Sequence, residues 1–393
     1  MKLKKILTLF LSLALALSLI ACGGGSGGGT QDAASGGESE AADGGNETSG
    51  GDMRVAMITD YGDITDQSFN QTTYEACKSW SDANGVDFTY FKPAGDSDAE
   101  RVAMIERAVD DGYNVVVMPG YAFANAVKET AGEFDDVDFI ALDVSPADLG
   151  GYTPPANLYC AAYQEEISGY MAGYAAVKLG YTHLGFLGGM EVPAVQRFGY
   201  GFVQGVDGAS ADLGVDTTLE YVYGNAFSGD ADITAYMDTW YQNRNVEVVF
   251  ACGGGIYTSA AEAAAKVGGK VIGVDVDQAA SIDGQYGEGM TVTSAMKGLT
   301  ETVHTLLSAI ADGTFSAYGG QAGTLGLVSA NPEENYVQLP LESTQWNDSF
   351  TQDDYRALVA DLYDGVITVS SDVSKTPGDF AATATVNVYA NIK

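Results

Sequence analysis

Residues 55–74 read VAMITDYGDITDQSFNQTTY, and their pattern decides the fold. The first part is a short apolar run typical of a buried strand, and a loop with three aspartates and a glycine follows it. Ser68 and Gln71 have capping-box spacing, which predicts that a helix begins there. In an open α/β sheet, this order of strand, loop and helix N-terminus presents a ligand site. The alternative is an ordinary turn that is polar only for solubility.

The same rhythm of strand and helix continues through the first half of the chain after residue 53. Strands are predicted at 55–59, 87–91, 115–118 and 139–142, with helices at 68–83, 98–111 and 123–134. Alternation of this kind indicates βαβ units and therefore a parallel sheet.

A second set of elements begins with a helix at 165–178. Strands are then predicted at 184–187, 218–223, 246–250 and 270–274, and helices at 194–213, 230–243, 258–267, 294–311 and 352–362. The fold class is therefore α/β, with two lobes that each contain a doubly wound, mostly parallel sheet with helices on both faces. A ligand would lie between lobes that close by a hinge motion.

Composition excludes several classes of function. The chain has 53 acidic and 18 basic residues and a formal net charge of -35, so binding to nucleic acid is not expected. Four dispersed cysteines and two histidines have no metal-site spacing and make a histidine-based catalytic triad difficult to build. We expect no metal and no cofactor.

The N-terminus has the features of an export signal. Three lysines precede an apolar run at 6–21 that is too short to span a bilayer. The run ends in Leu-Ile-Ala-Cys22, which resembles the lipobox of bacterial lipoproteins and implies lipidation of Cys22. Residues 23–52 are rich in Gly, Ser and acidic residues and predict a flexible tether. The alternative is a plain signal with an incidental cysteine.

Several motifs in order resemble those of the basic membrane protein family, the PnrA-like nucleoside-binding lipoproteins of ABC transporters. The matching segments cover roughly 55–328 and are TD at 59–60, DQSFNQ at 66–71, IALD at 140–143, EEISGYMAGY at 165–174, GFLGG at 185–189, the Phe198–Gly205 helix segment, CGGG at 252–255, GVDVDQ at 273–278 and TSAMK at 293–297. The resemblance implies a periplasmic-binding-protein type I fold, a nucleoside ligand and an ABC permease as partner.

The resemblance and the side-chain chemistry together suggest a set of binding residues. Tyr74 and Phe198 are candidates for stacking on a base, with Phe69 as an alternative to Tyr74. Asp275 suits two hydrogen bonds from ribose hydroxyls. Lys297 is expected at the start of a helix, where a cation is unfavourable, which suggests a use in the site. The full set is Asp60, Ser68, Phe69, Asn70, Tyr74, Asp143, Phe198, Gly254, Asp275 and Lys297. For the aromatic residues the alternative is a core position, and for the aspartates it is a helix cap or a solvated loop.

These expectations define one organisation and one function. The domains are a signal peptide at 1–21, a lipidated Cys22 with a tether at 22–52, an N-terminal lobe at 53–162 plus about 290–315, and a C-terminal lobe at 163–289 plus about 316–393. The predicted protein is a monomeric, lipid-anchored binding protein on the extracytoplasmic face of the bacterial membrane, and it is not an enzyme. It would deliver a nucleoside, with purines expected, to an ABC permease. The alternatives are a binding protein or sensor for a sugar or signalling molecule, or a hydrolase that uses paired carboxylates.

Overall fold

The computed structural model describes residues 53–393. The predicted signal peptide, Cys22 and the tether lie outside the described residues. Among the residues that are described, no helix is long and apolar enough to cross a membrane.

The described chain alternates strands and helices from its first element. The strands are β1 Arg54–Ile58, β2 Asp87–Phe91, β3 Val115–Pro119, β4 Asp138–Leu142, β5 Leu158–Tyr163, β6 His183–Gly188, β7 Thr218–Tyr223, β8 Val248–Cys252, β9 Lys270–Asp275, β10 Thr291–Lys297, β11 Gln321–Leu325, β12 Val337–Gln338 and β13 Thr385–Val388. The α-helices are α1 Phe69–Asn84, α2 Asp98–Asp110, α3 Ala124–Thr130, α4 Pro146–Leu149, α5 Glu165–Lys178, α6 Pro193–Leu213, α7 Ala231–Asn243, α8 Tyr257–Ala265, α9 Ala279–Tyr286, α10 Leu299–Ala311 and α11 Gln352–Tyr363.

Two sheets form the two lobes, as the sequence predicted. The first has the order β11-β5-β4-β3-β1-β2 with every neighbouring pair parallel. The second has the order β12-β10-β9-β8-β6-β7-β13, in which only β12 is antiparallel. Central strands such as β3 and β8 are buried along their whole length, because helices cover both faces of a doubly wound sheet. In such sheets the carboxyl ends of the strands meet at one edge, where ligands bind.

The chain passes between the lobes three times, and these crossings differ from the expected domain boundaries. It crosses after β5 into α5, after β10 into α10, and between β11 and β12. Strand β10 belongs to the second sheet and β11 to the first, whereas the boundaries expected near 290–315 and 316–393 place each in the opposite lobe. The reason is that the chain returns to the first lobe only after β10 is complete, and then adds both a helix and an edge strand there.

Helices α5 and α6 of the C-terminal lobe pack with their backbones in direct contact. A Cβ placed on Gly169 would lie 2.1 Å from the carbonyl oxygen of Phe198, and one placed on Gly201 would lie 2.0 Å from the carbonyl oxygen of Glu166. Gly173 and Gly205 repeat the same close approach one turn further along. Glycine is required at these positions because any side chain would force the two helices apart.

Two local predictions in the site region are wrong. Residues 294–297 do not begin a helix but complete β10, and α10 begins only after Gly298. The β-branched residues that start β10 favour a strand, and pairing with β9 overrides the helical pattern that follows. The capping box at Ser68 is also absent, because the Ser68 side chain makes no cap hydrogen bond. Asp66 caps α1 instead, since its carboxylate accepts from the backbone N–H groups of Ser68, Asn70 and Gln71 at 2.9, 3.0 and 3.1 Å.

Candidate ligand-binding site

A cavity of about 560 Å³ lies between the carboxyl ends of the two sheets. The first lobe contributes the loop after β1, the turns after β3 and β4, and the start of α1. The second lobe contributes the turns after β6, β7, β8 and β9, the start of α6 and the end of β10. The lining residues include Asp60, Tyr61, Asp66, Phe69, Asn70, Tyr121, Asp143, Met190, Val195, Phe198, Phe227, Cys252, Gly254, Asp275 and Lys297. A pocket of this size, with apolar walls and a few charged groups, is typical of a site for a small organic ligand.

The loop after β1 presents buried hydrogen-bond acceptors to the cavity. Asp60 Oδ1 accepts from the Gly62 N–H at 2.7 Å, and this hydrogen bond lowers the pKa of Asp60. Burial outweighs the hydrogen bond and raises the pKa to about 6. Asn70 donates through Nδ2 to Asp66 at 3.2 Å, which fixes the orientation of its amide. Asn70 Oδ1 is buried and has no hydrogen-bond partner among the described residues. Because a buried acceptor without a partner is costly, this oxygen suits a donor on a ligand.

Lys297 is the centre of the buried charge in the cavity. Its Nζ donates to Asp143 Oδ2 at 2.7 Å and lies 3.4 Å from Glu165 Oε1 and 3.5 Å from Asp275 Oδ1. Burial alone would lower the pKa of the Lys297 ammonium, but these three carboxylates outweigh burial and raise it. Lys297 therefore stays charged and holds side chains from both lobes in one cluster.

The two aspartates of this cluster have unusual backbone conformations. Asp143 directly follows β4 with φ 59°, and Asp275 ends β9 with φ 67°, both in the left-handed region that non-glycine residues seldom adopt. Burial, with some help from Glu165 and Asp275, raises the pKa of Asp143 to about 6 in spite of Lys297. Asp143 Oδ1 is buried without a partner among the described residues. Strained residues of this kind concentrate at ligand sites, where the surrounding structure holds them in place.

Asp275 receives a hydrogen bond from the opposite lobe. Ser68 Oγ, before α1, donates to Asp275 Oδ2 at 2.6 Å, and Ser68 is fully buried. The two lobes therefore make direct contact through the site itself.

Glu165 and Arg197 support the cluster from behind the cavity wall. Arg197 Nε donates to Glu165 Oε2 at 2.6 Å, and Glu165 is fully buried at the start of α5. Burial lowers the pKa of Arg197, but the adjacent Glu165, together with Asp143 and Glu166, outweighs burial and raises it. The neighbouring Glu166 is also buried, and desolvation raises its pKa to about 7.

Five aromatic residues line the same space, namely Tyr61, Phe69, Tyr121, Phe198 and Phe227. The Lys297 Nζ lies 4.8 Å from the ring centroid of Phe69 and 5.3 Å from that of Phe198, so both rings adjoin the charged cluster. Further out, Tyr61 of the first lobe and Phe227 of the second are stacked, with centroids 5.8 Å apart and planes 16° apart. The site thus combines flat apolar faces with carboxylates and one ammonium group.

A family model agrees with this architecture. The model of the PnrA-like ABC transporter substrate-binding proteins matches residues 53–370. The chain belongs to this family. Members of the PnrA-like family are substrate-binding proteins rather than enzymes, and a permease is the partner that this class of protein implies.

Relatives and solved structures extend this result. The ABC transporter nucleoside-binding protein BmpA of Lactococcus lactis is 29% identical over 338 residues, which cover 81% of this chain and 90% of that protein. Basic membrane protein A of Borreliella burgdorferi is 25% identical over 299 residues, which cover 74% of this chain and 83% of that protein. A solute-binding protein structure from Aeropyrum pernix aligns with a TM-score of 0.62 at 20% identity, covering 80% of this chain and 87% of that one. One from Conexibacter woesei has the same TM-score at 22% identity, covering 81% and 99%. These structures support the type I binding-protein fold alone.

The structure brings together most of the residues that sequence analysis selected for a PnrA-like site. Asp60, Phe69, Asn70, Asp143, Phe198, Gly254, Asp275 and Lys297 all line the cavity. Gly254 has φ 51°, and a Cβ there would lie 2.9 Å from the Phe227 carbonyl oxygen, so the turn after β8 needs glycine for both conformation and space. Lys297 is in the site, although it ends a strand and does not begin a helix.

Two selected residues do not line the cavity. Ser68 reaches the site only through Asp275. Tyr74 is on another face of α1, where its ring packs against those of Phe88 and Tyr90 with centroid distances of 5.5 Å in each case. Tyr74 therefore has the packing role that was the alternative for the aromatic residues. It lies five residues after Phe69, and over that distance the turn of the helix directs the Tyr74 side chain away from the cavity.

Sequence analysis missed other parts of the site. Tyr61 lies in the aspartate-containing loop after β1 but was not selected as a binding residue, and Phe227 follows β7 in a segment without a recognised motif. Glu165 lies in a matched motif, but a carboxylate at a helix start is usually explained by the helix dipole. The aromatic residues in loops after predicted strands were the one signal that would have identified Tyr61 and Phe227, because such loops form the binding edge.

Proposed function

We propose that this PnrA-like protein captures a nucleoside, with purines expected, between its two lobes and delivers it to an ABC permease. The observation that carries the proposal is the meeting, in one cavity, of aromatic rings with the carboxylates around Lys297. A nucleoside has a flat base, which suits the aromatic rings, and a sugar with vicinal hydroxyl groups, which suits the carboxylates. The Lactococcus lactis relative is named as a nucleoside-binding protein, which supports the same ligand class.

The aromatic residues would bind the base. Stacking on an aromatic side chain contributes about 1–3 kcal/mol per base and tolerates different bases. Phe69 and Phe198 adjoin the charged cluster, and Tyr61 and Phe227 lie nearer the loops that border the cavity. The unpartnered Asn70 Oδ1 would accept a hydrogen bond from a base N–H group.

The carboxylates would bind the ribose. Asp143 Oδ1 has no partner among the described residues, and an ionised carboxylate accepts strong hydrogen bonds from hydroxyl groups. Lys297 would donate to a ribose oxygen with an N–H that the carboxylates leave available. The excess of acid over base in the lining disfavours ligands that carry phosphate.

Export and anchoring complete the proposal. We infer from the apolar run and the Cys22 motif that the protein is a lipoprotein on the extracytoplasmic face of the membrane, with residues 23–52 as its tether. A mass measurement of the protein extracted from membranes tests this directly. A mass without added lipid, or removal of residues 1–21 with no lipid on Cys22, would contradict the anchor.

Calorimetric titration tests the ligand. The protein is unfolded and refolded to remove any carried ligand, and is then titrated with inosine, adenosine, guanosine, cytidine and uridine. Ribose, arabinose and free bases serve as controls. Saturable binding of nucleosides but not of ribose supports the proposal, whereas binding of a sugar alone supports the sugar-binding alternative. Release of free base on long incubation would indicate hydrolysis and contradict a pure binding role.

A further inference from the structure

A second set of hydrogen bonds joins the two lobes outside the cavity. Gln278 Nε2 donates to the carbonyl oxygen of Gln67 at 2.9 Å, and Ser281 Oγ donates to Gln67 Oε1 at 2.8 Å. Gln67 precedes α1 in the first lobe, whereas Gln278 and Ser281 lie in the segment after β9 in the second lobe. We name these three residues the Gln67 contact.

The backbone of Gln67 is held in an unfavourable conformation. Its φ is 55°, in the left-handed region, and it is neither glycine nor asparagine. Gln71 accepts from both the backbone N–H of Gln67 and its Nε2, at 3.0 and 2.6 Å, and so fixes the side chain that faces Ser281. A strained residue persists only where its surroundings hold it, which points to a role for the conformation itself.

The Gln67 contact adjoins the cavity carboxylate Asp275 from two directions. Ser68, next to Gln67, donates to Asp275 Oδ2, and Gln278 Oε1 accepts from the N–H of Val274 at 2.9 Å. Gln278 is almost fully buried, but none of the three contact residues lines the cavity. Any effect of the contact on a ligand must therefore act through the relative position of the lobes.

We propose that the Gln67 contact is a closure contact, which positions Asp275 against the first lobe and sets how long the lobes remain closed around a ligand. A hydrogen bond that forms only when the lobes meet stabilises the closed state and not the open one. Its loss raises the opening rate and hence the dissociation rate of the ligand, while the groups that recognise the ligand are unchanged. The kinetic part of this proposal rests on the proposed nucleoside function.

Two single variants and their combination test the closure contact. Gln67→Gly removes the side chain and suits a left-handed φ, and Ser281→Ala removes the opposite partner. We expect each to accelerate nucleoside dissociation roughly threefold to tenfold in stopped-flow displacement, with a smaller change in association rate. The double variant should be no more than slightly faster than either single variant, because both remove the same bond. Ser79→Ala is the matched control, since Ser79 Oγ bonds Ala76 and His304 within the first lobe, and it should leave the rate unchanged.

Small-angle X-ray scattering without nucleoside supplies a readout that is independent of the ligand. Gln67→Gly and Ser281→Ala should have a larger radius of gyration than the unmodified protein and Ser79→Ala. If the unmodified protein binds no nucleoside, the proposed function fails and scattering alone decides the closure contact. The closure contact is contradicted if the radius of gyration and the dissociation rate are unchanged in both Gln67→Gly and Ser281→Ala. It is also contradicted if Ser79→Ala changes these quantities by the same amount.

Discussion

Asp143 and Asp275 occupy equivalent places in the two lobes. Each lies at the carboxyl end of the fourth strand of its lobe, Asp143 directly after β4 and Asp275 as the last residue of β9, and each has a left-handed backbone. Each also faces Lys297, at 2.7 Å for Asp143 and 3.5 Å for Asp275. Duplicated sheets thus bring two similar carboxylates to one ammonium group.

The two aspartates differ in their remaining oxygen atoms. Asp275 Oδ2 is occupied by Ser68 of the opposite lobe, whereas Asp143 Oδ1 has no partner among the described residues. The Asp275 carboxylate therefore joins the two lobes. The Asp143 carboxylate binds Lys297 through one oxygen and leaves its other oxygen available to accept a hydrogen bond from a ligand. Equivalent positions in a duplicated fold can hold the same residue for different purposes.

Removing the shared cation should have the largest effect on this comparison. Lys297→Met leaves Asp143, Asp275 and Glu165 buried together without their common partner. Breaking a buried ion pair on one side typically costs about 3–5 kcal/mol in the free energy of unfolding. Urea unfolding at neutral pH measures that loss, and nucleoside binding should also disappear. A variant with unchanged stability would show that the carboxylates do not depend on Lys297.

Matched amide substitutions should separate the two aspartates. Asparagine tolerates a left-handed φ, so Asp143→Asn and Asp275→Asn change charge without adding backbone strain. We expect Asp143→Asn to weaken nucleoside binding roughly 100-fold, because an amide has a single oxygen, which cannot both accept from Lys297 and serve as the acceptor for the ligand. Asp275→Asn should weaken it roughly tenfold, since an amide oxygen still accepts from Ser68. Calorimetry compares them, and equal losses would contradict the difference in roles.

The pH dependence of nucleoside binding should depend on Asp143. The pKa of Asp143 is raised to about 6, so Asp143 gains a proton as the pH falls through that value, while Lys297 remains charged. Protonation removes the charge of the ribose acceptor, and nucleoside affinity should fall several-fold between pH of about 7.5 and about 5. Asp60 has a pKa raised to a similar value and lines the same cavity. Measuring nucleoside affinity against pH in Asp143→Asn and Asp60→Asn identifies the responsible group. We expect the affinity of Asp143→Asn to change little with pH. If only Asp60→Asn loses the pH dependence, Asp60 is the responsible group.

The smallest effect should come from Tyr74, outside the region of the two aspartates. Tyr74→Ala removes a ring that packs against Phe88 and Tyr90, and nucleoside affinity should stay within about twofold of the unmodified protein. Phe198→Ala is the contrasting variant, and it should weaken binding roughly tenfold if the ring stacks on the base. A large loss of affinity in Tyr74→Ala would restore the stacking role that the sequence suggested.

The arrangement of the sheets was predictable because apolar, β-rich runs recur between helical segments. The order of strand, loop and helix at β1 and α1 likewise predicted that a ligand site lies at the carboxyl end of β1. By contrast, residues 294–297 of β10 were predicted to begin a helix, since their strand conformation depends on pairing with β9. Predictions from local pattern fail where tertiary pairing decides the conformation.

Long-range partners within the site were not predictable from sequence. Ser68 and Asp275 are 207 positions apart, and Lys297 and Asp143 are 154 positions apart. Their side chains were selected one at a time for their chemistry, and the sequence contains no signal for which oxygen remains free. The capping role likewise passed from Ser68 to Asp66, because the Ser68 hydroxyl is used between the lobes.

The glycine-lined packing of α5 against α6 has a consequence for the thermodynamics of binding. Glu165 begins one helix, Phe198 lies on the other, and the backbone contact leaves little freedom between them. This wall of the site is ordered before a ligand arrives, so ordering it costs little conformational entropy on binding. Most of the entropy cost should instead fall on the loop after β1, and calorimetry over a range of temperatures would measure it. A wall that is rigid before binding confines any adjustment to a ligand to the loops that face it.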